Sequence, residues 1–593
     1  MRTPFRLKDG TEKTSESVLL RQAWKEGGKV HTHTVASLSK LPADEVDALE
    51  AVLNRGGRLA GAVQDAQARD GLSHGAVAAV WAAAAQAGLP GLPGLLGEPC
   101  PERDLAFALV IARLVRPASK NTTLAWLPDT TLGRDLGLEG ATTDDAYQAM
   151  DWLAARQDQI GQALARRLLD PQVNPHKMAL FDLTSTWVEG LHNEYAAFGY
   201  SRDKKKHRRQ IEFALVAAPD GAPVAIRAFQ GDTADPAAFT QAIAAAADQF
   251  GITDAVLVGD RGMITDARVQ DLKSRPGLDW ITALKHAQIA QLAAEQDNGF
   301  QPSLLDDWGL AEFASKAYPG ERLVACRNPD VADRSRIKRG RLVQASLDAV
   351  APVVRAVDAG RLKDPATIGR RVGKLIGKHK VEKYLDIQIA PGRIAAGPDN
   401  DAIRRAEALD GLYIVRTNLD ADRLGAPDVV RAYKDLSHVE QDFSWIKGDD
   451  IQVRPVWRRK ARRVEGHLLI CLLACHLAWR LRKAWAPLTY ADPVPKPAGR
   501  DPVKAQRRSA TAAVKASARR LPEGGAPRTF RGLLDHLGLL QRVSIDVAVP
   551  GKTHTFTRVN QPTPDQAEAF RLLGVPIPDT LAGDPHPGRH HTR

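Results

Sequence analysis

The chain has 593 residues, 44% hydrophobic and 26% charged, which reads as globular and is too long for a single hydrophobic core. Its 82 Lys and Arg against 70 Asp and Glu leave a net charge of +12, which points to a polyanionic partner, nucleic acid first. Four cysteines exclude a disulfide framework and fit a reducing compartment, so a cytoplasmic location is expected.

In chain order, MRTPFRLKDGTEK is basic with no apolar run behind it, so no signal peptide is expected. SVLLRQAW, Gly27-Gly28 and KVHTHTVASL predict a hairpin. Helical patterns follow in 43–54 and 75–87, then a turn-rich break, LPGLPGLLGEP. ERDLAFALVIARLV and DDAYQAMDWLAARQDQIGQALARRLL predict two more helices. Residues 1–172 are therefore expected to form a mostly helical N-terminal region. The texture changes at 177. MALFDLT, QIEFALVAA and PVAIRAF read as three consecutive strands, followed by a helix (PAAFTQAIAAAADQF), a strand (DAVLVGD), a helix (ITDARVQDLKS) and a strand (DWITALK). Three strands and then alternation with helices is the order of a ribonuclease-H-like mixed sheet.

The α/β texture is interrupted by a polar interlude and resumes at GLYIVRTN. The expected organisation is thus a multidomain α/β chain. A first part of the catalytic core spans 173–285, an insertion domain 286–408, the second part of the core 409–487, and a linker with a small C-terminal module 488–593. Near the end of the core, HLLICLLACHLAW sets Cys471 and Cys475 one turn apart, with His467 and His476 nearby. Its apolar character favours core packing over a metal cluster. His476 and Arg480 interrupt it, and its length predicts that it does not span a membrane. The closing HPGRHHTR reads as a polar tail.

Three carboxylates stand out. Asp182 sits inside an apolar strand, MALFDLTSTW, where a charge is costly unless something cationic meets it. Asp260 follows the strand VLVG, at the end where α/β sheets place their chemistry. Glu440 lies on a single predicted helix, PDVVRAYKDLSHVEQDFSWIK. There Tyr433, Glu440 and Lys447, seven residues apart, stack on one side and share the apolar stripe of Val439, Phe443 and Ile446. Two strand-borne aspartates and a helix-borne glutamate suit Mg²⁺, a hard cation that takes oxygen ligands. Two such ions roughly 3.5–4 Å apart activate an attacking oxygen and stabilise a leaving one.

With these residues in view, the chain resembles the aspartate–aspartate–glutamate (DDE) transposases of bacterial insertion sequences, closest to the IS-four branch. The resemblance runs through GGKVHTHTVASLSKLP, LFDLTSTW, GYSRDKKKHRRQIEFAL, AFQGDTAD, VLVGDRGM, YIVRTN, the Tyr433–Lys447 helix and RPVWRRKARRVEGHLLICLLA. It implies a catalytic, metal-binding triad of Asp182, Asp260 and Glu440 with Mg²⁺, Mn²⁺ substituting. It also implies that the N-terminal region, 1–172, binds DNA and that Tyr433 and Lys447 hold the DNA backbone near the cut. The branch carries an arginine three residues after that tyrosine. Leu436 stands there instead, with Lys434 as the candidate replacement.

Two basic runs flank the triad: RDKKKHRR (202–209) and RPVWRRKARR (454–463). Lys204, Lys205, Lys206, Arg208, Arg209, Arg261, Arg458 and Arg459 are the expected phosphate contacts. The expected function is cut-and-paste transposition. The protein would cleave double-stranded DNA at terminal inverted repeats and transfer the strand into target DNA, as a homodimer in the synaptic complex and with no membrane partner. The alternatives are a ribonuclease-H-like nuclease without strand transfer, or an inactive DNA-binding derivative.

Overall fold

The computed structural model describes all residues except 1, 7–11, 40, 43–44, 47–48, 51–66, 88–95, 97, 206, 234–253, 295–304, 455, 495, 498–499, 505–506, 523, 550–551 and 582–593. Two compact units result. The smaller comprises Met1–His74 with Leu540–Gln561, the larger Gly75–Leu539 with Pro562–Arg593.

The smaller unit is built of strands. β1 (Arg2–Arg6) pairs antiparallel with β2 (Glu12–Glu16). β3 (Leu19–Glu26) and β4 (Lys29–Ser37) form the predicted hairpin around Gly27 and Gly28, whose φ of 58° and 83° need glycine's freedom. β5 (Gln67–Ser73) pairs with a strand from far down the chain, Gln541–Val549, which in turn pairs with Lys552–Val559. Part of the expected C-terminal module therefore shares a sheet with the first seventy residues. No local pattern announces such a long-range pairing.

In the larger unit the helices α1 (Gly75–Ala87), α2 (Pro101–Val115), α3 (Thr143–Ala154) and α4 (Gln157–Leu168) precede the sheet. Thr142 starts α3 with a reciprocal cap: its hydroxyl accepts the Asp145 N–H, and the Asp145 carboxylate accepts the Thr142 N–H. The helix expected over 236–250 lies outside the described residues.

The sheet begins with β6 (Met178–Trp187), β7 (Gln210–Ala217), β8 (Pro223–Gln230), β9 (Ala255–Gly259) and β10 (Leu278–Ala283). These lie side by side as β8-β7-β6-β9-β10. β6 is antiparallel to β7, and parallel pairs join β6 to β9 and β9 to β10. Numbered from β6, the order is 3-2-1-4-5, the ribonuclease-H-like arrangement. All eight residues of β7 are buried, as expected of a strand covered on both faces. The helix α5 (Asp266–Lys273) links β9 to β10.

Beyond β10 the sheet continues through β15 (Leu412–Thr417), β12 (Arg322–Arg327) and β11 (Leu310–Phe313), all antiparallel, to eight strands. The polar interlude thus first contributes two strands to the main sheet. Its remainder includes α6 (Pro329–Asp358), α7 (Pro365–Ile376) and the hairpin β13 (Leu385–Ala390) with β14 (Arg393–Pro398). Val350, Val353, Val357, Ile368, Val372 and Ile394 give it an apolar cluster of its own.

The single helix predicted over 427–447 is two: α8 (Ala426–Lys434) and α9 (Leu436–Lys447), joined at Asp435. Asp435 is near-helical (φ −67°, ψ −10°), and its carboxylate accepts a bond from Arg500 at 2.8 Å. The apolar segment becomes α10 (Ala461–Ala484), which packs against α1, α2, α3 and β8 at once. That explains a helix apolar all round. At 24 residues it is long enough to cross a membrane, contrary to the expectation from length. However, 83% of its most apolar window is buried inside the protein. Cys471, Cys475, His467 and His476 are all buried in this packing.

Candidate active site

The parallel register of β6 and β9 places Phe181 opposite Gly259. The next residue on each strand is an aspartate, so Asp182 and Asp260 are neighbours at the end of β9. Asp182 is held in mid-strand, and its Oδ1 accepts the N–H of Leu183 at 2.7 Å. Asp260 lies just past its strand and is exposed; Oδ2 accepts the Gly262 N–H at 3.3 Å. α9 packs on β6, which carries Glu440 to the same end. Burial pushes the Asp182 carboxyl up to about 6. The Leu183 N–H and Arg202 oppose that rise, while Asp260 and Glu440 reinforce it. Asp182 thus lies within electrostatic reach of both Asp260 and Glu440.

Glu440 does not sit on the core-facing stripe as expected; it is exposed. At 3.6 residues per turn Glu440 lies about 100° round from Val439, which is fully buried. Glu440 and Lys447 share α9, whereas Tyr433 lies on α8 beyond the break at Asp435, so the three do not stack along one helix. The carboxylate facing the core is Asp442, 1% exposed. It takes the thiol of Cys475 at 3.8 Å, and burial pushes it up to about 8.

Tyr433 donates its hydroxyl hydrogen to Asp260 Oδ1 at 3.2 Å. Burial and the neighbouring Asp260 raise its phenol well above the usual range. Lys447 Nζ bonds to Thr184 Oγ1 at 2.6 Å and Asp203 Oδ1 at 3.1 Å. Thr184 lies two residues beyond Asp182, hence on the same face of β6. Lys434 reaches the carbonyl of Val503 and is half-buried, with its ammonium pKa lowered by burial.

Among the expected phosphate contacts, Lys204 and Lys205 are exposed, with Lys205 5.5 Å above the Trp187 ring. Arg208 pairs with Glu189, and Arg209 donates to the Leu191 carbonyl at 3.0 Å. Lys206 lies outside the described residues. Arg261 and Arg459 are exposed, and Arg458 is half-buried with its guanidinium 5.5 Å from the Tyr147 ring.

Sequence reasoning missed Asp203. It sits inside the run counted for its positive charges, yet it joins Lys447 to Arg454 (2.9 Å), tying the first basic run to the second. An acid embedded in such a run is the signal that was there to read. Arg202, whose charge reaches Asp182, was missed for the same reason.

Among the described residues no three or more His, Cys, Asp or Glu side chains are grouped so as to hold a metal ion. The donor set still fits a hard divalent cation. It consists of carboxylate oxygens, one of them disfavoured as an anion by burial and by two like charges, which a cation would reverse.

The ribonuclease-H-like sheet sets Asp182, in mid-strand on β6, beside Asp260 just past β9, the architecture expected of a DDE-type enzyme. Residues 176–477, more than half of the chain, match the family model of the transposase DDE domain, and the chain belongs to that family. It is a DDE-type transposase, and enzymes of this kind generally act with divalent metal ions. No curated protein matches the sequence. Among solved structures, the cryo-EM structure of the piggyBac transposase synaptic complex with hairpin DNA is similar. It is 9% identical, the match covers 68% of this chain and 71% of that one, and the TM-score is 0.31.

Proposed function

We propose that this protein carries out cut-and-paste DNA transposition in the bacterial cytoplasm, cleaving DNA at terminal inverted repeats and joining the freed end to target DNA. The observation that carries this reading is the parallel pairing of β6 with β9, which sets Asp182 beside Asp260 at one end of the sheet, where Tyr433 bonds to Asp260. These three side chains would hold Mg²⁺, with Mn²⁺ as a substitute. When bound, the metal supplies charge stabilisation at the attacking and leaving oxygens of an in-line displacement.

The chain's own residues then have distinct tasks. Tyr433 fixes the orientation of Asp260. Lys447 braces the Asp182 face of β6 through Thr184 and holds the loop bearing the first basic run through Asp203. Lys204, Lys205, Lys206, Arg208, Arg209, Arg261, Arg458 and Arg459 would meet backbone phosphates, and Lys434 a phosphate near Tyr433. Exposed Phe198, Tyr200 and Trp457, beside the two basic runs, support a nucleic-acid face, since rings stack on unpaired bases. Pairing of two element ends calls for a homodimer in the working complex.

The test uses a duplex of the element end with a pre-cut 3′ terminus, supercoiled target DNA and Mg²⁺. Joined products support transposition. Cleavage of uncut ends without joining of pre-cut ones would make the protein a nuclease of the same fold.

A further inference from the structure

Beneath the second basic run lies a cavity of about 400 Å³ that the proposed cutting chemistry does not use. Arg113, Lys120, Tyr147, Arg454, Arg458 and His467 line it, and Trp457, 63% exposed, stands at its rim. Arg113 comes from α2, Lys120 from the first turn of the helix Lys120–Trp126, and His467 from α10. Two separate helices thus bring Arg113 and Lys120 to Arg454 and Arg458 of the second basic run, while burial holds the His467 imidazole pKa well below its usual value.

Arg113 is 6% exposed and Lys120 2%. Among the described residues no carboxylate bonds to Arg113, Lys120 or Arg458. Arg454 alone is paired, with Asp203. The strongest bond of the Arg113 guanidinium is a long one, 3.5 Å to the Gln452 carbonyl. The Nε atoms of Arg113 and Arg458 are buried without a hydrogen-bond partner. So is Nδ1 of His467, whose Nε2 donates to the Val453 carbonyl at 2.9 Å. Burial and the neighbouring Arg113 and Arg458 hold the Lys120 ammonium pKa far below its usual value. Like charges packed together away from water are unfavourable unless an anion joins them.

We propose that this cavity is a phosphate-binding site in which Arg113, Lys120 and Arg458 grip one phosphate group, supplied by the backbone of bound DNA or by a free phosphate compound. Arginine suits the task because its planar fork meets phosphate oxygens in pairs. The DNA source rests on the function proposed above; the phosphate chemistry does not.

The experiment is thermal unfolding of the full-length chain in inorganic phosphate against chloride at matched ionic strength, for wild type, Lys120→Met and Arg113→Met. Phosphate should raise the wild-type Tm progressively with concentration. Lys120→Met should start higher in chloride, having lost a buried charge, and should lose the phosphate response. Arg113→Met should weaken phosphate binding at least tenfold. An equal rise in all three proteins, or none in any, overturns the site. A parallel titration of the element-end duplex identifies the source. A salt slope reduced by about 1 in Lys120→Met assigns the phosphate to DNA. An unchanged slope beside a lost phosphate response assigns it to a free compound. Failure of wild type to bind the duplex would count against the proposed function, while the phosphate titration would still decide the site.

Discussion

Tyr433 reaches from the end of α8 to the end of β9, where its hydroxyl hydrogen bonds to Asp260 Oδ1 at 3.2 Å. The contact fixes a carboxylate that otherwise stands in solvent. Tyr433→Phe should leave the circular dichroism and Tm nearly unchanged, since Asp260 is exposed and the bond contributes little to folding. DNA cleavage should fall about tenfold, equivalent to about 1.4 kcal/mol. Cleavage at the wild-type rate would mean that Asp260 needs no such orientation.

Asp203 joins Lys447 and Arg454, and its side chain is only 8% exposed, with Lys447 at 12%. Removing one member of a buried ionic cluster strands the others, which typically costs about 3–5 kcal/mol. Arg454 is 28% exposed, so the lower end of that range is expected here. Asp203→Ala should therefore lower stability by about 3 kcal/mol in urea unfolding. A loss under about 1 kcal/mol would show that the cluster is not what anchors the basic run.

Asp182 makes a signed prediction for the metal-free protein. Its carboxyl is raised from 3.8 to about 6 in the fold. Between these values the folded state holds a proton that the unfolded chain has released, so stability falls as pH rises. Above about pH 6 the penalty is complete, on the order of 3 kcal/mol. Asp182→Asn removes it. In chelator the variant should be more stable than wild type at pH 7, should match it near pH 3.5, and should have lost cleavage by at least about a hundredfold. A variant less stable than wild type at pH 7 would contradict the assigned burial.

The same reasoning applies to Asp442, raised to about 8 by burial beside Cys475. Wild-type stability should carry a falling component from about pH 4 to pH 8, and Asp442→Asn should abolish it. Because this carboxylate faces the core and not the triad, the variant should keep cleavage at pH 7. Parallel pH profiles of the two proteins would disprove the shift.

These residues mark how far the sequence could be read. The strands were legible, and with them the placement of Asp182 inside β6 and of Asp260 just past β9, because apolar runs bounded by turns mark both. Glu440 was picked for a seven-residue spacing that the break at Asp435 divides between two helices. The core-facing acid was Asp442, which lies at i+3 from Val439 on the stripe of Phe443 and Ile446, so the 3.6-residue period pointed to it and not to Glu440. The break at Asp435 left no proline or glycine to announce it. The pairing of Gln67–Ser73 with Gln541–Val549 was out of reach, because sheet partners nearly five hundred residues apart share no local signal. Asp203 left one sequence signal, an acid inside a basic run, whereas the cavity of Arg113 and Lys120 depends on tertiary neighbours alone.

The most direct test of the account is cleavage of a labelled element-end duplex with Mg²⁺ by wild type, Asp182→Ala, Asp260→Ala and Glu440→Ala, each first shown to be folded. Cutting at the repeat boundary by wild type alone is the predicted result. Cutting that survives any of the three substitutions would contradict the assignment of these carboxylates to one active site.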